Sequence, residues 1–395
     1  MKKSLQKYIL RLLSLLTVNC SLLTVTSCIE PPLKLPAQEV LIDMPTIITD
    51  IDVIWDLDTE WKHRWYYGWD DLDSALWGPI AYPIPSNYEV RRHYLGDNPG
   101  AKPHSIDGFT IFGNRFRRSY QFGYYDLLLW SNIDSKDGTQ VVKIDESDPT
   151  SVQATTTVSR GMTRIINGSK SQTSVTGIYN QPEIFYSSYP RDIYISRYME
   201  DYDYYDEAEH CWVKKINCVL SPLVYIYLVQ VIFINNDGRV SGASGNAAVS
   251  AFSGSTDVNT GHTNDDPAMV YFNTRFKKNR PYEGISADII GGKLTTYGLC
   301  DMESFADALD HDYRGSRTDL PNYLLVDVQF SNGAEQTMQF DVTEQCREQA
   351  HGGIITVIVD CADLKIPDGP NGENSGSLFV PTVEDYEEVV YDFQL

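Results

Sequence analysis

The stretch LLVDVQFSNGAEQTMQFDVT, residues 324–343, decides the fold class, because two segments of alternating apolar and polar residues flank a turn. Apolar residues at every second position lie on one face of an extended strand. Asn332-Gly333 between the segments tolerates the positive φ that a tight turn requires. The stretch therefore predicts a β-hairpin with one apolar face. The residues on that face are Leu324, Val326, Val328 and Phe330, followed by Met338, Phe340 and Val342.

The same period of two dominates the rest of the chain, and helical periodicity is rare. Residues 223–234, LVYIYLVQVIFI, are much shorter than the ~20 apolar residues of a membrane-spanning helix, so they predict a central strand. Only residues 302–311 and 343–350 have the pattern of short helices. The chain as a whole predicts an all-β fold of two tandem β-sandwiches with few short helices.

The polar stretch NGSKSQTSVTG at residues 167–177 marks the predicted boundary between the two sandwiches. Prolines near the start of the mature chain are typical of a stiff linker. The predicted segments are a leader at 1–27, a tether at 28–37, an N-terminal sandwich at 38–170, and a C-terminal sandwich with a strand-like tail at 178–395.

The chain begins with the features of a bacterial export signal. Three lysines precede an apolar run that ends at Val25-Thr26-Ser27-Cys28. This tetrapeptide resembles a bacterial lipobox, in which an apolar residue and two small residues precede the cysteine that receives the lipid. Cys20 follows the polar Asn19 and fits less well. Cys28 is therefore the predicted lipidation site, and the alternative is an ordinary cleaved signal with an incidental cysteine.

The net charge of −22 falls by four to −26 without residues 1–27, because the leader contains four cations and no acidic residue. A body this acidic is repelled by phosphate backbones, so no nucleic-acid partner is expected. The chain lacks the G-x-S-x-G, H-E-x-x-H, P-loop and dinucleotide motifs, and its seven histidines are scattered. We therefore expect no catalytic site and no cofactor.

No metal site is expected either. The acidic stretch at residues 199–210 has Asp201 and Asp203 at the spacing of a calcium loop, but Tyr205 takes the next position and no glycine follows. The cysteines outside the leader and the lipobox have no C-x-x-C spacing. One or two disulfides, or buried free thiols, are the alternatives for them. These cysteines are Cys211, Cys218, Cys300, Cys346 and Cys361.

Four tryptophans are concentrated in a single segment of the N-terminal region. Three of them recur at every fourth residue, a spacing that places them on one face of a helix or a strand. Such a stripe is typical of core packing, and the alternative is a surface on which sugars stack. The four residues are Trp61, Trp65, Trp69 and Trp77.

Three longer stretches resemble the fimbrillin-like lipoproteins of Bacteroidales, which include the subunits and anchors of type V pili. With the lipobox, these stretches extend the resemblance over nearly the whole mature chain. It implies transthyretin-like Greek-key sandwiches, a lipid anchor in the outer membrane, exposure on the cell surface, and contact with pilus subunits by β-strand addition. The stretches are IDVIWDLDTEWKHRWYYGWDD at 51–71, NNDGRVSGASGNAAVSAFSGSTDVNTG at 235–261 and FDVTEQCREQAHGGIITVIVD at 340–360.

The C-terminal tail EDYEEVVYDFQL, residues 384–395, has the alternation of a strand and follows the flexible spacer PDGPNGENSGS at 367–377. In the strand-addition mechanism, this tail is a candidate donor strand for a neighbouring subunit. The alternative is that the tail closes the C-terminal sheet of its own chain. The residues on its apolar face are Val389, Tyr391, Phe393 and Leu395.

The residues and the resemblance together predict a lipid-anchored structural or adhesion protein, an anchor or accessory subunit of a type V pilus. In stalk subunits of that family, a protease removes the N-terminal strand after a basic residue. Here Lys34 lies too early to release a strand and Arg64 is flanked by aromatic residues, which favours a chain that keeps its anchor. The alternative function is a glycan-binding outer-membrane lipoprotein of a polysaccharide-utilisation system, which the tryptophans favour.

Replacing Cys28 tests the predicted lipid anchor. The unaltered chain should incorporate labelled palmitate and partition into detergent, because acyl chains supply the membrane affinity. Cys28→Ser should lose the label and move to the aqueous phase, whereas Cys20→Ser, the matched control, should keep both properties. Retention of the label by Cys28→Ser would contradict the assignment.

Overall fold

The computed structural model describes residues 65–113, 115–131, 140–158, 178–304, 320–362 and 364–367, and the backbone alone at 38–43 and 378–379. Its secondary structure is mostly β, which confirms the predicted all-β fold class. Helix α2 confirms the helix predicted at 343–350, whereas most of the helix predicted at 302–311 lies outside the described residues. The described helices are α1 (Asp71–Trp77), α2 (Thr343–Glu348) and a 3₁₀ turn at Met199–Asp201.

The strands are numbered in chain order. Strands β1 to β11 are Gln38–Asp43, Asn87–Gly96, Ser105–Phe112, Arg115–Ser119, Gly123–Ser131, Val142–Asp145, Gln153–Thr156, Ile178–Tyr179, Tyr186–Ser188, Ile193–Ile195 and Tyr204–Asp206. Strands β12 to β22 are Cys211–Asn217, Ser221–Pro222, Tyr225–Ile234, Val240–Ser253, Ser255–Asp257, Pro267–Tyr282, Ile285–Thr296, Tyr323–Phe330, Glu335–Asp341, Gly353–Asp360 and Leu378–Phe379.

The described residues form two compact units. The smaller unit consists of 38–41, Arg117–Phe122 and Ile195–Ile216, and its strands form a sheet in the order β11-β12-β1-β4. An ion pair of 2.7 Å between Arg117 and Asp206 joins two segments of this unit. All other described residues belong to the larger unit. The predicted boundary at 167–177 lies outside the described residues, so the division into two sandwiches stays a prediction.

The predicted hairpin is confirmed by strands β19 and β20. They pair antiparallel, with Leu324 opposite Phe340 and Val326 opposite Met338. All seven residues of the predicted apolar face lie in one buried cluster. Gly333 in the turn has a φ of 81°, as the turn signal requires.

Strand β14 confirms the central strand predicted at 223–234. It lies between β18, to which it is antiparallel, and β21, to which it is parallel. Nine of its ten residues are buried, so both of its faces are covered. A parallel neighbour requires a crossover connection, and helix α2 lies in the connection between β20 and β21.

The largest sheet has nine strands in the order β21-β14-β18-β17-β15-β19-β20-β22, with β8 beside β17. Residues from β14 and β21 near one end share a single buried cluster with residues from β19 and β20 near the other. The sheet must therefore curl on itself, as a half-barrel does. Helix α2 adds its buried Cys346 to the same cluster.

Two smaller sheets complete the larger unit. One has the order β13-β9-β5-β2-β3 with β10 beside β5, and the other has the order β16-β7-β6. Trp130 of β5 and Val152 beside β7 share a cluster with Leu223 and Tyr297, which flank β14 and β18. No helix in the described part of the chain has the length and apolar character that crossing a membrane requires.

Candidate functional site

Residues 65–82, called the clasp below, cover the outer face of the nine-stranded sheet, opposite its main buried cluster. Trp65 and Tyr67 pack there against Ile226 and Leu228 of β14 and Ile289 of β18. Apolar side chains on both layers explain why this face is buried. An early segment of the chain thus supplies the second cover of a strand more than a hundred residues later.

One polar side chain in this apolar face fixes the backbone of the clasp. Gln230 of β14 accepts hydrogen bonds from the N–H groups of Tyr66 and Tyr67 at 3.0 and 3.2 Å. Its amide nitrogen donates to the hydroxyl of Thr356 on β21 at 2.9 Å. Gln230 is fully buried, and these bonds satisfy both ends of its amide.

A buried ionic cluster fixes the helix of the clasp. Asp73 of α1 is 0% exposed and accepts hydrogen bonds from Tyr67 at 3.0 Å, from Lys277 of β17 at 2.6 Å, and from Arg275 of β17. Asp70 precedes the helix, caps it through the N–H of Asp73, and bonds Arg275 at 3.0 Å and Lys277 at 2.9 Å. Because Asp73 is buried, removing either cation would leave charge uncompensated in a dry environment.

Two pKa shifts follow from this arrangement. Burial, reinforced by the Asp73 carboxylate, raises the pKa of Tyr67 far above its ordinary value, so the phenol stays protonated and donates. Hydrogen bonding from Lys277 holds the pKa of Asp70 well below its usual range. The Lys277 ammonium also lies 4.0 Å from the centre of the Tyr67 ring, a favourable cation–π distance.

The predicted tryptophans lie in the clasp, except for Trp61, which is outside the described residues. Trp65 is 7% exposed, and Trp69 and Trp77 are half-buried with ring centres 5.4 Å apart. The expected placement on one regular element is wrong, because α1 begins only at Asp71. Gly68, with a φ of 71°, turns the backbone before the helix starts.

The segment just before the predicted donor strand pairs with the edge of the nine-stranded sheet. Residues 378–379, which follow the spacer, pair in parallel with Thr337 and Met338 of β20. The segment beyond the spacer thus returns to its own sheet at this point. The residues of the predicted donor face, and Cys28, lie outside the described residues.

The described cysteines are buried free thiols, one of the two alternatives that the sequence left open. All five in the described part of the chain are free and buried. Burial raises the pKa of Cys218 and of Cys361 to about 12, so their thiols stay protonated and unreactive at neutral pH. Within the described residues, no three His, Cys, Asp or Glu side chains converge as metal ligands.

Sequence reasoning missed the ionic cluster, although two signals were present. Arg275 and Lys277 stand two residues apart on β17 and therefore on one face, which implies an acidic cover. The residues DDLD from Asp70 have the pattern of a capping box, which the structure confirms. Nothing in the local pattern joins these two stretches, because they are about two hundred residues apart.

No protein-family model and no curated protein matches the chain. Solved structures match it over most of its length. A candidate adhesin from Bacteroides ovatus is 12% identical with a TM-score of 0.45, and the match covers 84% of this chain and 95% of that one. The fimbrial anchor protein Mfa2 from Porphyromonas gingivalis is 12% identical with a TM-score of 0.36, covering 83% and 92%. A fimbrial assembly protein from Parabacteroides distasonis is 9% identical with a TM-score of 0.31, covering 83% and 93%.

These structural neighbours are adhesins and fimbrial proteins of Bacteroidales, the group named by the sequence resemblance. Their TM-scores lie below 0.5 and their identities lie near 10%. The function of this chain is therefore argued below from its own residues.

Gly291 of β18 tests the packing of the clasp. A Cβ at this position would overlap the ring of Tyr67, so Gly291→Ala should lower the free energy of unfolding by about 1–3 kcal/mol. Gly254→Ala is the matched control, because its Cβ would meet Ala268 at 3.5 Å, an ordinary contact. Equal urea midpoints for the two variants would contradict the contact between Tyr67 and Gly291.

Asp73→Asn tests the ionic cluster. The substitution keeps the shape of the side chain but leaves Arg275 and Lys277 partly buried without their buried partner, at an expected cost of about 3 kcal/mol. Asp70→Asn should cost less than about 1 kcal/mol, since Asp70 is 46% exposed and Asn also caps helices. Urea unfolding at low and high salt measures both variants, and an equal loss in each would refute the dominant role of Asp73.

Proposed function

We propose that this chain is a lipid-anchored structural or adhesion protein of the cell surface. Specifically, it serves as an anchor or accessory subunit of a fimbrillin-type pilus and joins its neighbours by β-strand addition. The observation that carries the proposal is the pairing of residues 378–379 with β20. This edge already accepts a segment that follows the spacer at 367–377, and pairing at a sheet edge is what strand addition needs.

The sequence of the C-terminal tail also suits binding as a strand at the edge of β20. Residues 384–395 begin five residues after the paired segment ends at Phe379 and alternate apolar and polar side chains. A strand with this pattern places one apolar face against a core while its backbone bonds the edge. A tail with this pattern from a neighbouring copy or subunit could bind the edge of β20 in the same way, once the chain's own tail is displaced.

The clasp supports the role of an anchor. A tether that begins at Cys28 leads through the N-terminal strand region to residues 65–82, and these are fixed to three strands of the large sheet. Asp73 binds β17, Gln230 on β14 binds Tyr66, and Lys293 on β18 donates to the carbonyl of Pro79 at 2.6 Å. Force applied between lipid and pilus would pass through these buried polar contacts.

Complementation in trans tests the strand-addition step. A Cys28→Ser chain lacking residues 378–395 should bind a labelled peptide of that sequence, because the emptied edge of β20 regains its partner. The full-length Cys28→Ser chain should bind the same peptide at least about tenfold more weakly, since its own tail competes. Fluorescence anisotropy measures both affinities, and circular dichroism checks that the shortened chain is folded or refolds with peptide.

Two altered peptides provide matched controls. Serine at the four apolar-face positions should abolish binding, whereas serine at the alternate positions should preserve it, because only one face meets the core. If the shortened chain is folded but does not bind the native peptide, strand addition at this edge is refuted. The apolar-face positions are Val389, Tyr391, Phe393 and Leu395, and the alternate positions are Glu388, Val390, Asp392 and Gln394.

A further inference from the structure

A cleft of about 560 Å³ lies within the larger unit and shares no lining residue with the clasp or with β20. Its walls come from the loop after β2, from β5, from residues 187–191, from residues 217–223 and from the turn at 259–261. Its volume falls within the range of small-molecule sites, about 300–1,000 Å³. The space therefore suits a compact ligand such as a short oligosaccharide.

The lining of this cleft is almost uncharged and combines apolar surface with several hydroxyl and amide groups. Ser187, Asn217 and Thr260 are among the residues that carry these groups. Among the described lining residues, Asp126 is the one acidic group and Arg191 the one basic group, so their formal charges cancel. Neutral groups that both donate and accept match the hydroxyls of a sugar, whereas phosphate and carboxylate ligands favour clusters of cations.

An aromatic ring is held in the wall by a buried carboxylate. Asp126 is 5% exposed and accepts hydrogen bonds from the Tyr189 hydroxyl at 3.2 Å and from the N–H of Asp192 at 2.8 Å. Burial, reinforced by Asp126, raises the pKa of Tyr189 to about 12, so the phenol stays a donor. Tyr189 is partly buried, and the Arg191 guanidinium lies 5.9 Å from its ring centre, so the ring offers a sugar an apolar contact only at its exposed part. The neighbouring hydroxyl and amide groups offer the polar contact.

Asn259, a neighbour of Tyr189, is also held in place before any ligand binds. The side chain of Asn259 bonds the N–H of Val152 at 2.8 Å and the carbonyl of Pro149 at 3.2 Å. Gly261 has a φ of 73°, and a Cβ there would lie 2.8 Å from the Cβ of Ser304, so only glycine fits at this point of the turn. A preformed wall reduces the ordering cost of binding.

We propose that this cleft binds a short neutral oligosaccharide, with Tyr189 as its aromatic contact and the surrounding hydroxyl and amide groups as its hydrogen-bonding partners. The acidity of the chain as a whole disfavours polyanionic glycans. The proposal does not depend on strand addition at β20. It assigns glycan binding to a cleft that shares no lining residue with the clasp, in which Trp65, Trp69 and Trp77 pack.

An array of short oligosaccharides tests the proposal. Neutral oligomers of glucose, galactose, mannose and N-acetylglucosamine are printed beside sialylated and uronate-containing ones, and the full Cys28→Ser chain is applied in multivalent form. We expect binding to neutral members, and calorimetry with the strongest of these in solution then gives Kd. Binding confined to the acidic members would overturn the assignment to neutral sugars, and no binding to any member would overturn the site.

Three variants locate the site. Tyr189→Ala should weaken the binding of the strongest neutral member at least about tenfold. Ala101→Trp, which fills the rim of the cleft without removing a polar contact, should do the same. Tyr198→Ala removes a tyrosine that is 64% exposed outside the cleft, and it should leave Kd unchanged. Thermal unfolding confirms that each variant is folded, and undiminished binding by a folded Ala101→Trp chain would overturn the proposal.

Discussion

Both faces of β14 must be kept from water, because nine of its ten residues are buried. One face is covered when the nine-stranded sheet curls and brings β19 and β20 into the same cluster. Among the described residues, the clasp supplies the layer on the other face. The two covers differ in kind, since the first consists mainly of apolar side chains and the second is also fixed by Gln230 and Asp73.

The sequence predicted those parts of the fold that depend on local period. The hairpin at 324–343, the central strand and helix α2 were accessible because apolar side chains recur at the spacing of a strand or a short helix. The clasp was not accessible in this way. Its partners are distant in sequence, and Gly68 together with the capping residue Asp70 interrupts the regular spacing of the tryptophans.

The sequence did not predict the cleft either, for a different reason. Its lining residues come from several separate loops and strand ends, and none of them belongs to a recognisable motif in its own stretch. Only their convergence distinguishes them, and convergence is a property of the folded chain. The aromatic residue singled out by the structure is Tyr189, whereas the sequence drew attention to tryptophans that pack in the clasp.

The two proposed functions use different parts of the larger unit. The edge of β20 and the clasp lie on the nine-stranded sheet, whereas the cleft is built largely from the smaller sheets and their loops. If both proposals hold, a neighbouring strand could bind at β20 without covering the cleft.

The clasp also constrains the order in which the chain can fold. Tyr66 is separated from Gln230 by 164 residues, and Asp73 from Lys277 by 204. Contacts of such long range close late and slow the approach to the native state. The clasp leaves the ribosome long before β17 and β18 are synthesised, so its aromatic side chains stay unprotected until the last third of the chain has emerged. During synthesis, the N-terminal part of the chain therefore exposes apolar surface that favours aggregation.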